Sequence, residues 1–121
     1  MEQVTGIGGV FFRAQHAQKL AAWYHEHLGV PLDPGQTYGV FPVSSSSTVW
    51  SVFVEDTDYW PEDKQGMVNY TVDDLDAMLD QLREAGVAVD ERIEVLDGIG
   101  RFGWASDPEG NRFELWEPAT G

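Results

Sequence analysis

Glu114 is an acid on an aromatic strand, a setting in which a carboxylate either holds a cation or moves a proton. It lies in Arg112-Phe113-Glu114-Leu115-Trp116-Glu117, directly after Asp107-Pro108-Glu109-Gly110-Asn111. Pro, Gly and Asn in that order are the chemistry of a turn joining two antiparallel strands. Alternation then puts Arg112, Glu114 and Trp116 on one face, and Phe113 and Leu115 on the other. Pairing with the stretch Arg101 to Ala105 sets Phe102 and Trp104 against the same face as Glu114. Rings that exclude water favour the protonated carboxyl, the setting of a general base; ionised, the same group anchors a cationic ligand.

Other residues that could line such a site are Phe11, Arg13, Trp50, Met67 and Asn69. Asn69 projects with Met67 and Thr71 and offers a directional hydrogen bond. Aromatic faces hold flat or cationic molecules, with cation–π contacts of about 0.5 to 2 kcal/mol each. About half of the set Phe11, Trp50, Phe102, Trp104 and Trp116 is expected to serve simple packing. Arg13, Arg101 and Arg112 are the counter-ions within reach of Glu114, and Arg13 or Arg101 could stabilise an oxyanion. The histidines His16, His25 and His27 read as surface residues around one helix, because side chains at i and i+2 diverge. Asp73, Asp74 and Asp76 read as helix-capping acids. Ser44 to Ser47 is a polar connection without the Gly-rich strand-to-helix setting of a phosphate cradle. Tyr59 and Trp60, between Asp56 and Pro61, suit a lid or a dimer contact.

These residues need elements to hold them. Ile7 to Arg13 reads as a strand, followed by a helix from about Ala17 to Leu28 with Leu20, Trp23, Tyr24 and Leu28 as its apolar stripe. Gly29 caps it and Pro31 prevents continuation. Val30-Pro31-Leu32 resumes extended structure, and two further strands span about Thr37 to Val43 and Thr48 to Glu55. The order then returns: a strand over Met67 to Val72, a helical stripe of Leu75, Met78, Leu79, Leu82 and Ala85 ending at Gly86, extended Val87-Ala88-Val89, and a hairpin of Arg101 to Ala105 with Arg112 to Trp116. Periodicity therefore predicts an α+β chain of two similar units, each strand, helix and three strands, with Gly29-Val30 and Gly86-Val87 at equivalent helix ends.

Length and composition bound the rest. The 121 residues suit a single domain over 1–121, made of module 1 (about 5–60) and module 2 (about 61–118). The absence of cysteine excludes disulfides, thiolate metal sites and cysteine nucleophiles, and agrees with a cytoplasmic protein. Neither an export signal nor a membrane span is expected. With 21 acids against 7 bases, the net charge of −14 repels phosphate backbones and anionic lipid, so no nucleic acid and no membrane partner is expected. The excess is concentrated after residue 61, as a solubilising surface or as an attraction for a cationic ligand.

The ordered set of paired strand-helix-strand-strand-strand units, Trp23-Tyr24 before Leu28-Gly29, Val72-Asp73-Asp74-Leu75 at the second helix, and Asp107-Pro108-Glu109-Gly110-Asn111 before Glu114-Leu115 resembles the vicinal oxygen chelate superfamily. That superfamily includes glyoxalase I, extradiol dioxygenases and the bleomycin-resistance proteins, and the resemblance covers roughly Ile7 to Pro118. It implies two βαβββ modules forming open, U-shaped mixed sheets, usually in a homodimer. In metal-dependent members the ligands come from the first and last strands of each module. By position these are Gly9, Met67 and Glu114, with a fourth of uncertain register within Trp50, Ser51, Val52 and Phe53. Glycine offers no ligand, a thioether suits hard cations poorly, and one carboxylate cannot hold a divalent ion by itself.

The resemblance and the residues together imply a metal-free protein that binds a small organic molecule in an aromatic cleft, a cationic one being favoured by the acidic charge, as bleomycin-resistance proteins sequester a basic drug. No cofactor is expected, a divalent metal being the main alternative. An enzymatic alternative is a glyoxalase-like lyase or isomerase using Glu114 as general base or residual metal ligand. A third is an interaction module whose open sheet is filled by another subunit.

Overall fold

The computed structural model describes residues 1–43 and 46–120, so Ser44 and Ser45 of the expected serine turn lie outside the described residues. The chain forms two compact units, one of Gly9–Met67 and one of Met1–Gly8 with Val68–Gly121. Among the described residues no helix is long and apolar enough to cross a membrane.

In the first unit, β1 (Val4–Ala14) enters at Gly9 and leads to α1 (Ala17–Leu28), β2 (Tyr38–Val43) and β3 (Ser46–Val54). The helix lets the chain return, so β1 lies parallel to β3 with Val10 opposite Trp50 and Phe12 opposite Val52, while β2 runs antiparallel along the other side of β3. Gly29 ends α1 in the left-handed conformation, φ 71°, its N–H donating to the His25 carbonyl at 3.1 Å. The expected extended stretch at Val30 to Leu32 reduces to one bridge between Leu32 and Gly39. The buried stripe of α1 also differs from the expected one. Ala17, Leu20, Ala21 and Tyr24 face inward, whereas Trp23 and Leu28 are 50% and 65% exposed. The small Ala21, not an aromatic ring, is what lets the helix approach the strands closely.

The second unit holds β4 (Gly66–Val72, entering it at Val68), α2 (Leu75–Glu84), β5 (Ala88–Val89), β6 (Glu94–Leu96), β7 (Gly100–Ser106) and β8 (Arg112–Pro118). β8 pairs parallel with β4 and antiparallel with β7, and β7 also pairs with the short β5 and β6. Leu75, Met78 and Leu79 of α2 pack with Val72 and Leu115 into a core flanked by Tyr70, Leu82, Val89 and Phe113. Gly103 on β7 gives Leu79 its place, because a methyl group there would press on both its δ carbons. The odd positions of β7 and β8 thus face the helix, and the even positions form the opposite face.

Asp74 and Asp76 take the expected capping and first-turn places on α2. Asp74 accepts the Ala77 N–H at 3.0 Å, and Asp76 in the first turn pairs with Arg101 at 2.8 Å. The hydrogen bond from Arg101 holds the Asp76 carboxyl below its ordinary 3.8. Asp90 is lowered likewise, first by the Arg92 backbone N–H and then by Arg112. A carboxylate depressed in the folded state stabilises fully above its unfolded value and loses that contribution as pH falls through the folded one. Unfolding midpoints in urea should therefore decline between about pH 4 and pH 2, and Asp76→Asn should make that decline shallower. An identical acid profile for the variant would show that the pair contributes nothing to folding.

Candidate functional site

Register places the polar centre of the second unit. Asn69 on β4 lies opposite Glu114 on β8, which lies opposite Trp104 on β7, so three side chains form one row across three strands. They are bonded along that row. Asn69 Nδ2 donates to Glu114 Oε1 at 2.6 Å, and Trp104 Nε1 donates to Glu114 Oε2 at 2.9 Å. Both N–H groups can only donate, so both carboxylate oxygens are acceptors. All three residues are buried, at 2%, 3% and 0% exposure. Asn69 Oδ1 has no hydrogen-bond partner among the described residues, and a Cβ added at Gly8 would collide with it, so β1 favours glycine at this point.

The next same-face positions carry the wall of the site. Phe102 and Trp116 are cross-strand partners with rings stacked at 5.8 Å and 8° between planes, and Trp116 Nε1 donates to the Ile99 carbonyl at 2.9 Å. Both remain partly exposed, unlike the row beside them. On the other side of the row, the guanidinium carbons of Arg92 and Arg112 lie 4.5 and 5.3 Å from the Trp104 ring centre. Arg112 Nη1 also donates to Asp90 Oδ2 at 3.4 Å. Phe102, Trp104, Glu114 and Trp116 thus share one face as expected from parity, and Asn69 joins them through the β4–β8 pairing. Arg92 was not: it sits in a loop without periodicity, and its neighbour Asp90, which accepts the Arg92 N–H at 2.9 Å, is the only local signal.

The remaining expected site residues lie in the first unit and have different surroundings. Phe11 is on the face away from α1, 5.5 Å from Phe53. Trp50 is on the helix side, packed on Phe12 at 5.5 Å and Tyr24 at 5.2 Å, because it shares strand parity with Phe12. Met67 is buried. Arg13 donates to the carbonyls of Glu55, Thr57, Pro61 and Lys64 and lies 5.2 Å from the Trp60 ring. It fastens the 55–65 segment. Trp60, 2% exposed and donating to the Lys64 carbonyl, and Tyr59, stacked on Phe53, belong to that packing rather than to a lid. Arg101 points from an odd position of β7 to Asp76 and Glu117, on the face opposite Glu114, so it cannot serve as the oxyanion stabiliser considered above.

The superfamily's ligand positions carry Gly9, Met67 and Glu114 in this chain. Gly9 offers no side-chain ligand and Met67 a soft sulfur, while each oxygen of Glu114 accepts one N–H. His25 Nδ1 is 2.8 Å from the Val30 carbonyl, and His27 lies by Glu26 and Trp23. Among the described residues no three His, Asp or Glu side chains are grouped to hold a metal.

Several solved structures share this architecture. Methylmalonyl-CoA epimerase from Mycobacterium tuberculosis is 24% identical, over 97% of this chain and 90% of that one, with a TM-score of 0.66. A variant of the Streptomyces coelicolor methylmalonyl-CoA epimerase in complex with 2-nitronate-propionyl-CoA is 15% identical over 98% and 100%, TM-score 0.70. The NAD-dependent benzaldehyde dehydrogenase from Legionella pneumophila is 15% identical over 89% and 96%, TM-score 0.60. Such distant likenesses establish the fold, and their differing activities show that the fold alone does not choose a reaction. No curated protein matches the sequence. The model of the glyoxalase-like domain matches residues 9–116, nearly the whole chain. With its α+β architecture of two helix-backed modules, the chain belongs to the glyoxalase-like domain family of the vicinal oxygen chelate superfamily.

Proposed function

We propose that this protein binds a small organic molecule bearing a cationic, N–H-rich group, and holds it without a metal ion. The observation that carries the reading is the Asn69–Glu114–Trp104 row beside the partly exposed Phe102–Trp116 stack. A cation seated on those rings gains from their π faces and from the carboxylate one pleat repeat away, in surroundings of low dielectric. The orphaned Asn69 Oδ1 adds an acceptor to the same face. Sequestration of a basic molecule by a homodimeric, cytoplasmic protein is the role that joins this chemistry to the family resemblance and the acidic charge.

Benzamidine, a planar aromatic cation, is the simplest probe. It should quench tryptophan fluorescence saturably, and Glu114→Gln should weaken it about tenfold, the loss of one negative charge about 7 Å away in low dielectric, worth roughly 1.4 kcal/mol. Equal affinity in the variant, or one equivalent of divalent metal found by elemental analysis of gently purified protein, would sink the proposal.

The shared fold with the epimerases supports a second reading, an isomerase in which Glu114 takes a proton from a carbon acid. It predicts solvent deuterium entering the carbon next to a thioester carbonyl without added metal, and no exchange in Glu114→Gln. Absence of exchange in the wild type removes it.

A further inference from the structure

We propose that the ligand also carries a carboxylate, received by Arg112 and Arg92 at the end of the row opposite the Phe102–Trp116 stack; this extends the ligand site proposed above and rests on it. Two of the chain's seven basic residues meet on one indole, Trp104, in a protein of net charge −14. The other arginines are engaged elsewhere: Arg13 on carbonyls, Arg83 with Asp80, Arg101 with Asp76 and Glu117. Asp90 pairs with Arg112, and Arg92 lies exposed over the same ring.

The hydrogen bonding says which anion fits. Arg112 reaches Asp90 through Nη1, whereas its buried Nε–H has no acceptor among the described residues. Nε and Nη2 form the side edge of the planar fork, the edge that takes both oxygens of a carboxylate in parallel, and Nη1 is not part of it. A buried donor left without an acceptor calls for a missing partner. Arg112 is 22% exposed as a side chain, so the outer part of the fork meets solvent, and Arg92 is exposed beside it. The second orphaned atom, Asn69 Oδ1, is an acceptor on the same sheet face, one strand from Glu114, which itself lies two residues or about 7 Å along β8 from Arg112. One molecule with a basic nitrogen toward the Asn69–Glu114 row and a carboxylate toward Arg112 answers both orphans.

The test is a titration of the full chain followed by two-dimensional NMR of the arginine Nε–H and tryptophan Nε1–H signals. Phenylacetate should move the Arg112 and Trp104 signals saturably. Arg92→Ala should weaken it about fivefold and Arg112→Lys, which keeps charge but loses the fork, about tenfold. Because Arg92 is exposed, its variant gives a readout even if Arg112→Lys folds poorly. No saturable shift, undiminished affinity in Arg92→Ala, or inorganic phosphate binding as tightly as phenylacetate would overturn the carboxylate assignment. Benzamidine in parallel separates the two proposals: its failure with phenylacetate still bound removes the cation reading alone, and the converse removes this inference alone.

Discussion

Replacing Glu114 with alanine is expected to destabilise the protein by about 3 to 5 kcal/mol, the range for removing one member of a buried charged network. The groups left behind set the size of the loss. Asn69 Nδ2 and Trp104 Nε1 both donate to this carboxylate, and both residues are almost completely buried. Without it, each buried N–H loses its acceptor at about 1 to 3 kcal/mol apiece, and a void opens beside a fully buried indole. Glu114→Gln is the informative comparison. Glutamine offers one acceptor and one NH2 donor to two N–H groups, so one contact turns repulsive and a loss of about 1 to 3 kcal/mol follows. Urea unfolding with both variants measures this order. A loss below about 1 kcal/mol for the alanine variant would mean that the row is not the coupled unit its geometry describes.

How much of this was legible beforehand follows from which interactions are local. The span of α1 could be read residue by residue, because the 3.6-residue period, Gly29 and Pro31 all act within a few positions of one another. Its buried face could not, since Trp23 and Ala21 exchange places according to how closely the helix approaches the strands. The face of Glu114 followed from parity and a five-residue turn. Its partner Asn69 did not, because a parallel pairing 45 residues apart has no local signature. Trp50 shows the sensitivity of strands: a one-residue uncertainty in register moves a ring from the ligand face to the helix face. The three-residue β6 is too short to show a period, although Asp97-Gly98, with Gly98 at φ 77°, is a recognisable turn pair before β7. Arg92 lay beyond reach because a loop has no period, and only the folded chain shows it above Trp104.

Arg13→Ala is the other substitution expected to have a large effect, and it acts away from the binding row. The Arg13 guanidinium donates to Glu55 at 2.6 Å, to Pro61 and Lys64 at 3.1 Å and to Thr57 at 3.4 Å, closing the 55–65 segment over β1. The backbone repeats the closure, with Arg13 N–H donating to Gln65 O and Gln65 Nε2 to Arg13 O. Four charge-assisted bonds summed independently would overshoot, because several of these carbonyls can turn to water once the side chain is gone. A loss of about 2 to 4 kcal/mol is the realistic total, including the cation–π contact with Trp60. Arg13→Lys should recover only part of it, since an ammonium cannot span four divergent carbonyls. The local readout is hydrogen exchange at the Trp60 indole N–H, which is held by the Lys64 carbonyl at 2.9 Å. Exchange there should accelerate in Arg13→Ala, and benzamidine affinity should change far less than in Glu114→Gln. If exchange at Trp60 stays slow while benzamidine affinity falls tenfold, Arg13 belongs to the ligand after all, and its carbonyl contacts are a resting state that the ligand replaces.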